Sequence, residues 1–388
     1  MSRFLLTFWL LIAIASFIYS YGFVDLNLTL SSQSTLFNFV SQMQQLVYFN
    51  RPLSLKVFIG LITLMFIAYT GTLGYWKTGK LKSFPWRIII FLAVIFSLAY
   101  PMLSSDVFKY LFGAKEILVY HVSPYLVTPD SFQGDTWIRF MRWVHTTSPY
   151  GPVFIGLTIP YYLLGFGKFV PILYLFKLDQ VAWYLLSIWL IGKIAALQKW
   201  TSNRVVASQL FFALNPLILM EWLVNAHNDA IMITLLLLSL YLFLLKKTGW
   251  SLLTVLLSAG IKYVTIVFLP IILLSKLARP KLSSIIFYLM SILVLTPLLY
   301  HYSWQYQPWY VTWLIPLAAL APSGWTRLAV GAYSFTVFSR YLFFVGTGSW
   351  LGTPFQHAWM TFALPALILI LGGFSWLVKQ LPKTTTPN

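Results

Sequence analysis

The chain contains eight carboxylates, and a count of apolar segments places all of them in, or just inside, segments on one side of a membrane. They are Asp25, Asp106, Glu116, Asp130, Asp135, Asp179, Glu221 and Asp229. The loops on the opposite side contain lysines and arginines but no acid. A reaction that needs a carboxylate as its general base therefore has one available face, which the positive-inside rule predicts to be extracytoplasmic.

Asp106 is one candidate for such a base. It opens the longest polar stretch of the chain, residues 104–150, and lies at a predicted hydrocarbon boundary, where a carboxylate is costly. Partial desolvation there should raise its pKa towards the range of a useful base, whereas the neighbouring Lys109 should lower it. The structural alternative is a helix cap, because Ser and Asp side chains accept backbone N–H bonds at helix starts.

A second polar group follows the Asn-Pro-Leu run at residues 215–217. Glu221, Asn225 and Asp229 recur every four residues, so a continuing helix would stack them on one face, with His227 close by. The structural alternative is a polar turn with a capped helix start. A glutamate in an apolar run, one turn before a His-Asn-Asp cluster, favours a substrate-binding site. His227 alone does not indicate a metal site, because the usual partner ligands are scarce.

Aromatic side chains and isolated cations could complete such a site. The segment 301–310 (HYSWQYQPWY) contains Trp309 and Tyr310, which together with Tyr150 could stack against a sugar ring. An interfacial aromatic belt explains the same composition, and the sequence does not separate the two. Lys262 and Arg340 could bind a phosphate leaving group across a cavity from the acids. Snorkelling of the two cations to the interface is the alternative.

The elements that position these residues must be membrane helices. The chain has 388 residues, of which 59% are hydrophobic and only 9% charged. Apolar runs of about 20 residues recur along it, each long enough to cross a bilayer as a helix. The net charge of +18 is spread over short loops, which is typical of membrane topology and not of nucleic-acid binding. Without cysteine, the chain has no disulfide and no thiol nucleophile.

The pattern predicts an all-α polytopic membrane protein with about twelve transmembrane helices and a half-embedded helix. The spans are expected near residues 4–23, 53–76, 88–103, 179–197, 205–224, 230–245, two short helices within 251–275, 282–299, 309–321, 325–345 and 358–378. The first is interpreted as a retained span, because no cleavage site follows it. Both termini are then cytoplasmic, and residues 36–47 form an amphipathic helix in the outer interface.

Two segments do not fit a simple count of crossings. Residues 151–166 are expected to form the half-embedded helix, which begins near Pro149 and Pro152. A short return helix at 169–178 would also give the number of crossings that places residues 198–204 on the cytoplasmic side. Residues 251–275 begin and end beside cytoplasmic bases, so they must turn round near residues 260–262. We therefore divide the chain into N-terminal spans (1–87), a membrane core with the outer loop (88–345) and a last span with a basic tail (346–388).

Taken together, these motifs resemble the GT-C glycosyltransferases, most closely the bacterial polyprenol-phosphate-mannose-dependent mannosyltransferases. The resemblance is carried by SSDVFKY (104–110), VSPY (122–125), SPYGPVF (148–154), NPL (215–217) with NAHNDA (225–230), and PWYVTW (308–313). These motifs occur in order across residues 88–345. The chain differs from the family in an additional pair of N-terminal spans and in a shorter C-terminal region.

The resemblance implies a hexose donor carried on polyprenyl phosphate, most simply mannose, a glycan or glycolipid acceptor outside the cell, and inversion at the anomeric carbon. It also implies that Asp106 is the catalytic base. No cofactor is expected, although Asp106 and Asp229 could share a divalent cation. The rival class is a transporter or flippase of lipid-linked saccharides, and a non-catalytic assembly subunit is a third. A flippase should carry polar groups on both faces of its pathway, whereas here every acid lies on one side.

Overall fold

The computed structural model describes residues 2–23, 34–81, 83–274, 280–299, 306–349 and 354–380. All regular secondary structure within these ranges is helical. Asp25, residues 301–305 of the aromatic segment and the end of the basic tail (381–388) lie outside the described residues.

The α-helical segments of the described ranges are, in chain order, α1 (Arg3–Tyr21), α2 (Ser34–Leu46), α3 (Arg51–Lys77), α4 (Trp86–Leu98), α5 (Asp106–Leu118), α6 (Pro152–Leu164), α7 (Phe169–Leu197), α8 (Ser202–Ala213), α9 (Pro216–Ile218), α10 (Asp229–Leu244), α11 (Thr248–Ala259), α12 (Leu269–Leu273), α13 (Leu282–Leu299), α14 (Leu314–Ala319), α15 (Gly324–Thr336), α16 (Ser339–Thr347) and α17 (Pro354–Gln380). Shorter 3-10 turns lie at Pro129–Ser131, Ile138–Phe140, Tyr263–Phe268 and Pro308–Trp313, and a π-helical turn at Leu219–Val224.

Five helical segments of the described residues are long and apolar enough to cross a membrane. They are Arg3–Tyr21, Arg51–Lys77, Phe169–Leu197, Gly324–Thr347 and Ala358–Ser375. A sixth arises if Ser202–Ala213 and Pro216–Val224, bent by 47°, form one span. Shorter apolar helices fill the rest of the bundle, so the helical membrane architecture is confirmed, while the expected number of about twelve crossings is not.

The segment predicted as a span at 309–321 is not one continuous helix. It consists of the 3-10 turn Pro308–Trp313 followed by the six-residue α14, and nearly all of it is buried in protein. The bend between α8 and α9 has a clear cause, because the residue before a proline is forced away from the α-region. Asn215 occupies that place, and its side chain caps α9 by accepting a bond from Leu217 N at 3.0 Å.

Residues 151–166 form a short helix, as expected. Helix α6 has 13 residues and is only about 20 Å long, whereas α7 continues unbroken from Phe169, so no separate return helix exists at 169–178. The chain also turns at residues 260–262, between α11 and a 3-10 turn. The two features meet: Gly151 N donates to Ile261 O at 2.9 Å, and Val153 N donates to Gly260 O at 3.1 Å.

The N-terminal spans are packed into the bundle. Helix α1 lies against α3 and α4, and α3 lies against α8, α9 and α16. Tyr69 of α3 donates a hydrogen bond to Phe211 O at 2.9 Å, and Tyr100 N donates to Ser20 Oγ at 2.9 Å. The amphipathic helix predicted at residues 36–47 is present as α2, at Ser34–Leu46. Helix α3 extends for 27 residues, so its ends, Arg51 and Lys77, are about 40 Å apart.

Candidate functional site

A cavity of about 270 Å³ lies at the Arg51 end of α3. We call it the acidic cavity, after the carboxylate in its wall. Its lining includes the approach to α5, the loop before Pro149, the chain before α14, and residues of the N-terminal region. The principal lining residues are Tyr48, Ser104, Asp106, Arg142, Trp143, Gln307, Trp309 and Phe344. The N-terminal region, which the sequence suggested was an addition to the core, therefore supplies part of this wall.

Asp106 begins α5 and is held in place through the backbone. Its own N–H donates to Ser104 Oγ at 3.2 Å, and the preceding Leu103 N donates to Asn225 Oδ1 at 3.2 Å. The N-cap of α5 is Ser105, which makes no side-chain cap bond. The carboxylate of Asp106 is therefore not the N-cap acceptor, and its side chain remains 12% exposed.

His227 and Glu221 form a line of ionisable groups behind Asp106. His227 Nδ1 lies 3.9 Å from Asp106 Oδ2, and His227 Nε2 lies 3.2 Å from Glu221 Oε2, close enough for an ionic contact but not aligned as a hydrogen bond. Glu221 is fully buried and accepts bonds from Tyr341 OH at 2.7 Å and Asn225 Nδ2 at 3.0 Å. A carboxylate buried in apolar surroundings must be compensated in this way.

The π-helical turn at Leu219–Val224 sets the geometry of this line. Asn225 N donates to Met220 O at 2.8 Å, and His227 N donates back to Glu221 O at 2.9 Å. Ala226 between them has φ +57°, a left-handed conformation that costs a non-glycine residue roughly 1–2 kcal/mol. Glu221 and Asn225 thus lie on the same side of the helix, as their spacing predicted. The helix then ends in a widened turn that directs His227 towards Asp106. Such π-turns are frequent at functional sites.

Lys177 supports the same turn from inside the bundle. This fully buried lysine of α7 donates to Leu223 O at 2.8 Å and also to Val224 O. Both carbonyls lie where the helical hydrogen bonding ends, so the ammonium group satisfies acceptors that would otherwise be unpaired in apolar surroundings.

Asp229 forms a second, separate centre. Its two carboxylate oxygens accept from Trp313 Nε1 at 2.5 Å and from Lys262 Nζ at 2.7 Å. Because Asp229 opens α10, its charge also interacts favourably with the positive end of the helix dipole. The proposed phosphate cation Lys262 is therefore engaged by an acid, although its side chain keeps 19% exposure.

Aromatic rings pack around His227 and the neighbouring ionisable groups. Trp309 stacks on the imidazole of His227, with 4.2 Å between ring centroids and 26° between planes. Tyr310 lies edge-on to Trp309, and Tyr150 packs edge-on against Tyr110 at 4.7 Å. Of the aromatic residues singled out from the sequence, Trp309 thus contacts an ionisable group directly, and Tyr150 and Tyr310 pack against the neighbouring rings.

The electrostatics of Asp106 are set by its burial. Desolvation raises the pKa of its carboxyl group, and the negative charge of Asp229 acts in the same direction. His227 and Lys262 oppose the increase by stabilising the carboxylate. A raised pKa is the property expected of a carboxylate that takes up a proton near neutral pH.

Arg340 does not join this group of predicted site residues. Its Nε donates to Tyr306 O at 2.9 Å, its side chain is nearly buried, and it is absent from the lining of the acidic cavity. The cation that does line the cavity is Arg142, which lies over the ring of Phe344 at 4.5 Å from the centroid. Arg51 lies nearby over Tyr48, and one of its terminal nitrogens is buried without a hydrogen-bond partner.

Several residues of the site were not found from the sequence. Tyr110 contacts His227 Nδ1 at 3.2 Å, and Tyr341 and Trp313 bind the two acids described above. Because 19% of the residues are aromatic, no sequence pattern distinguishes these site residues from the aromatic residues of the hydrophobic core. Lys177 did carry a signal, because an ionisable residue within a long apolar run is functional or structurally paired by default.

No metal centre is evident in the described part of the chain, where no three His, Asp or Glu side chains are grouped to hold an ion. Asp229, the proposed partner of Asp106 in sharing a cation, already binds an ammonium group and an indole N–H. Because both carboxylate oxygens of Asp229 accept hydrogen bonds from these donors, the group is better suited to remain a fixed anion than to bind a metal ion.

The fold and site define a helical membrane protein with a carboxylate in the wall of a partly open cavity that polar and aromatic side chains line. A family model described as alpha-(1->6)-mannopyranosyltransferase, N-terminal domain, matches residues 6–278. The match covers well over half of the chain, which therefore belongs to this mannosyltransferase family. It includes the N-terminal spans as well as the π-turn and Asp229. No curated protein and no solved structure matches the chain.

Proposed function

We propose that the protein is a GT-C-type enzyme that transfers mannose from a polyprenyl-phosphate donor to a hydroxyl group of a glycan or glycolipid, with inversion, and that Asp106 is the general base. The observation that carries the proposal is the placement of this carboxylate. Its nearest ionic partner in the described residues is His227 at 3.9 Å, longer than a hydrogen bond, so its oxygens are available to an acceptor in the cavity.

The reaction we infer is a single displacement. Asp106 accepts the proton of the acceptor hydroxyl while the hydroxyl oxygen forms a bond to the anomeric carbon. The bond from that carbon to the phosphate oxygen breaks, and polyprenyl phosphate leaves with the electron pair. Attack from the face opposite to the leaving group inverts the configuration. The network of Glu221, Tyr341 and Asn225 holds His227 behind the base, and His227 and Asp229 position groups rather than transfer protons.

The donor phosphate requires a cation in or beside the cavity. Arg142 supports this role because it lines the cavity wall together with Asp106. Arg51, with its unpartnered buried nitrogen, is a second candidate. Lys262 keeps a supporting role through its favourable charge interaction with Asp106, whereas no described contact connects Arg340 to the cavity. A guanidinium group suits phosphate because it donates two parallel bonds.

The mannose ring is proposed to lie against the aromatic side of the cavity. Trp309 lines the cavity, whereas Tyr150 and Tyr310 are not among its lining residues and pack against Tyr110 and Trp309, respectively. The indole of Trp309 is already fixed by stacking on His227, so little side-chain entropy is lost when a sugar binds. We place this site on the extracytoplasmic side, as the charge asymmetry of the loops predicts.

The test is sugar transfer by the purified protein in detergent, with labelled polyprenyl-phosphate mannose and candidate glycan acceptors. Replacement Asp106→Asn should lower the rate by about 10²–10⁴-fold, the range for loss of a general base. The matched control Asp130→Asn removes an exposed acid of the same loop and should retain the rate. Equal rates for wild type and Asp106→Asn would contradict the mechanism. Movement of intact donor across liposomes without product would favour a flippase instead.

A further inference from the structure

A second and larger cavity lies at the Lys77 end of α3, opposite to the acidic cavity. It has a volume of about 760 Å³ and opens between α3, α8 and α15. We call it the basic cavity, because cations and apolar side chains line it. The residues that define it here are Phe66, Leu73, Lys77, Arg204, Arg327 and Phe335. The mannosyl-transfer chemistry makes no use of it.

The cations of this cavity are gathered at one end. Arg327 Nη1 donates to Ala321 O at 2.7 Å, and Arg204 Nη2 donates to the next carbonyl, Pro322 O, at 3.5 Å. Two guanidinium groups are thus anchored on adjacent peptide units, although like charges repel. No acid of the chain occurs in the segments that form the cavity, so the positive charge there is not neutralised by the protein. Such a site favours an anion.

The rest of the cavity is apolar and elongated. Phe66 lies 11 residues from Lys77 along α3, which corresponds to about 16 Å. On the facing helix, Leu328 and Phe335 are 54% and 45% exposed, and large apolar side chains with this exposure in a membrane bundle face lipid. A cationic end joined to an apolar channel of this length complements a molecule with an anionic head and a hydrocarbon chain.

We propose that the basic cavity is a binding site for an anionic phospholipid, with the phosphate at Arg204, Arg327 and Lys77 and one acyl chain along Phe66 and Phe335. The charge complementarity selects an anionic head, and the length of the apolar channel selects a lipid over a soluble phosphate. The cations of this site lie at the Lys77 end of α3 and the acidic cavity lies at its Arg51 end, and the two helix ends are about 40 Å apart, so the proposed ligand is a resident lipid and not the sugar donor.

The experiment is native mass spectrometry of the full-length protein in a zwitterionic detergent, titrated with phosphatidylglycerol or phosphatidylcholine. Arg204→Gln/Arg327→Gln should weaken phosphatidylglycerol binding about 10- to 30-fold, since each cation near an anionic headgroup contributes about 1 kcal/mol. The control Lys246→Gln/Lys247→Gln removes two exposed charges outside the cavity and should change binding less than about twofold. Equal losses in both double variants would overturn the proposal.

A second arm separates a lipid from a free anion. Ala332→Trp fills the channel and leaves every cation in place, so it should also weaken phosphatidylglycerol binding. Unchanged binding in this variant would overturn the role of the channel. Likewise, inorganic phosphate that displaces phosphatidylglycerol at comparable concentrations would show an anion site without lipid specificity. Failure of phosphate to compete, together with a preference for phosphatidylglycerol over phosphatidylcholine, supports the proposal.

Discussion

The two cavities at the ends of α3 differ in how their charges are held. In and around the acidic cavity, Glu221, Asp229 and Lys177 are fully buried, and each is matched by named partners. In the basic cavity, Arg204 and Arg327 donate to backbone carbonyls, and the segments that form the cavity contain no acid. The first arrangement fixes groups in position, as a reaction requires. The second leaves charge unneutralised, as a site for an exchangeable anion requires.

This difference predicts where the molecule is sensitive to substitution. Buried polar networks lose stability when one member is removed, because the remaining partners become unsatisfied. Unpaired surface cations can be removed at little cost to folding. We therefore expect substitutions near the acidic cavity to reduce stability or catalysis, and substitutions in the basic cavity to alter ligand binding while the fold persists.

The largest effect on stability is expected from Lys177→Met. The substitution leaves the carbonyls of Leu223 and Val224 without their donor and should cost about 2–3 kcal/mol. The matched control Lys193→Met removes an exposed lysine of the same helix and should change stability by less than about 0.5 kcal/mol. Thermal unfolding in detergent measures both. Similar unfolding temperatures for the two variants would show that the π-turn does not depend on the buried ammonium group.

The next effect concerns the donor. Arg142→Gln should raise KM for the polyprenyl-phosphate donor and lower kcat/KM by about 10- to 100-fold, because one charge-assisted contact to phosphate is lost. Arg139→Gln, in the same loop and outside the cavity lining, is the control for a general loss of charge. Donor-dependent kinetics distinguish the two. If Arg139→Gln has the larger effect, Arg142 is not the phosphate-binding residue.

The sequence predicted the helical class and the amphipathic helix from local pattern, and it predicted the short helix at 151–166, found at Pro152–Leu164, and the turn at 260–262 from the count of crossings. It also selected Asp106, Glu221, Asn225 and His227, which the fold brings together, and Asp229, which forms a neighbouring centre with Lys262. It did not predict the partners Tyr110, Trp313 and Tyr341, since they are 84–120 residues from the side chains they bind. Nor could spacing show that the helix widens into a π-turn, because tertiary contacts decide that.

A smaller effect is expected where the short helix meets the turn. A Cβ added to Gly151 would lie 2.1 Å from Gly260 O, so Gly151→Ala must push the two backbones apart and should cost about 1–3 kcal/mol. Nothing lies within 4 Å of a Cβ at Gly156 in the same helix, so Gly156→Ala should be neutral or slightly stabilising. Thermal unfolding compares them. Equal stability in both variants would contradict the close approach of Gly151 and Gly260.

The smallest effect is a pH dependence that separates catalysis from stability. The proposed base Asp106 can accept a proton only when it is ionised, and burial raises its pKa, so activity should fall on the acid side at a higher pH than a surface aspartate would give. Burial also lowers the pKa of Lys109 to about 8. Its ammonium group donates to Trp143 O and Thr146 O at 2.8 and 2.7 Å, which holds the loop that carries Arg142.

Above pH 8 Lys109 becomes neutral, this loop loosens, and the rate should decline by a few-fold. The stability change has the opposite sign. A lysine whose pKa is lower in the folded state than in the unfolded state destabilises the fold while it is charged, so its penalty is relieved as the pH rises from about 8 towards 10.5. Lys109→Arg stays charged and should lose the alkaline decline. A parallel fall of rate and unfolding temperature above pH 8 would instead indicate general denaturation, and the assignment to Lys109 would be wrong.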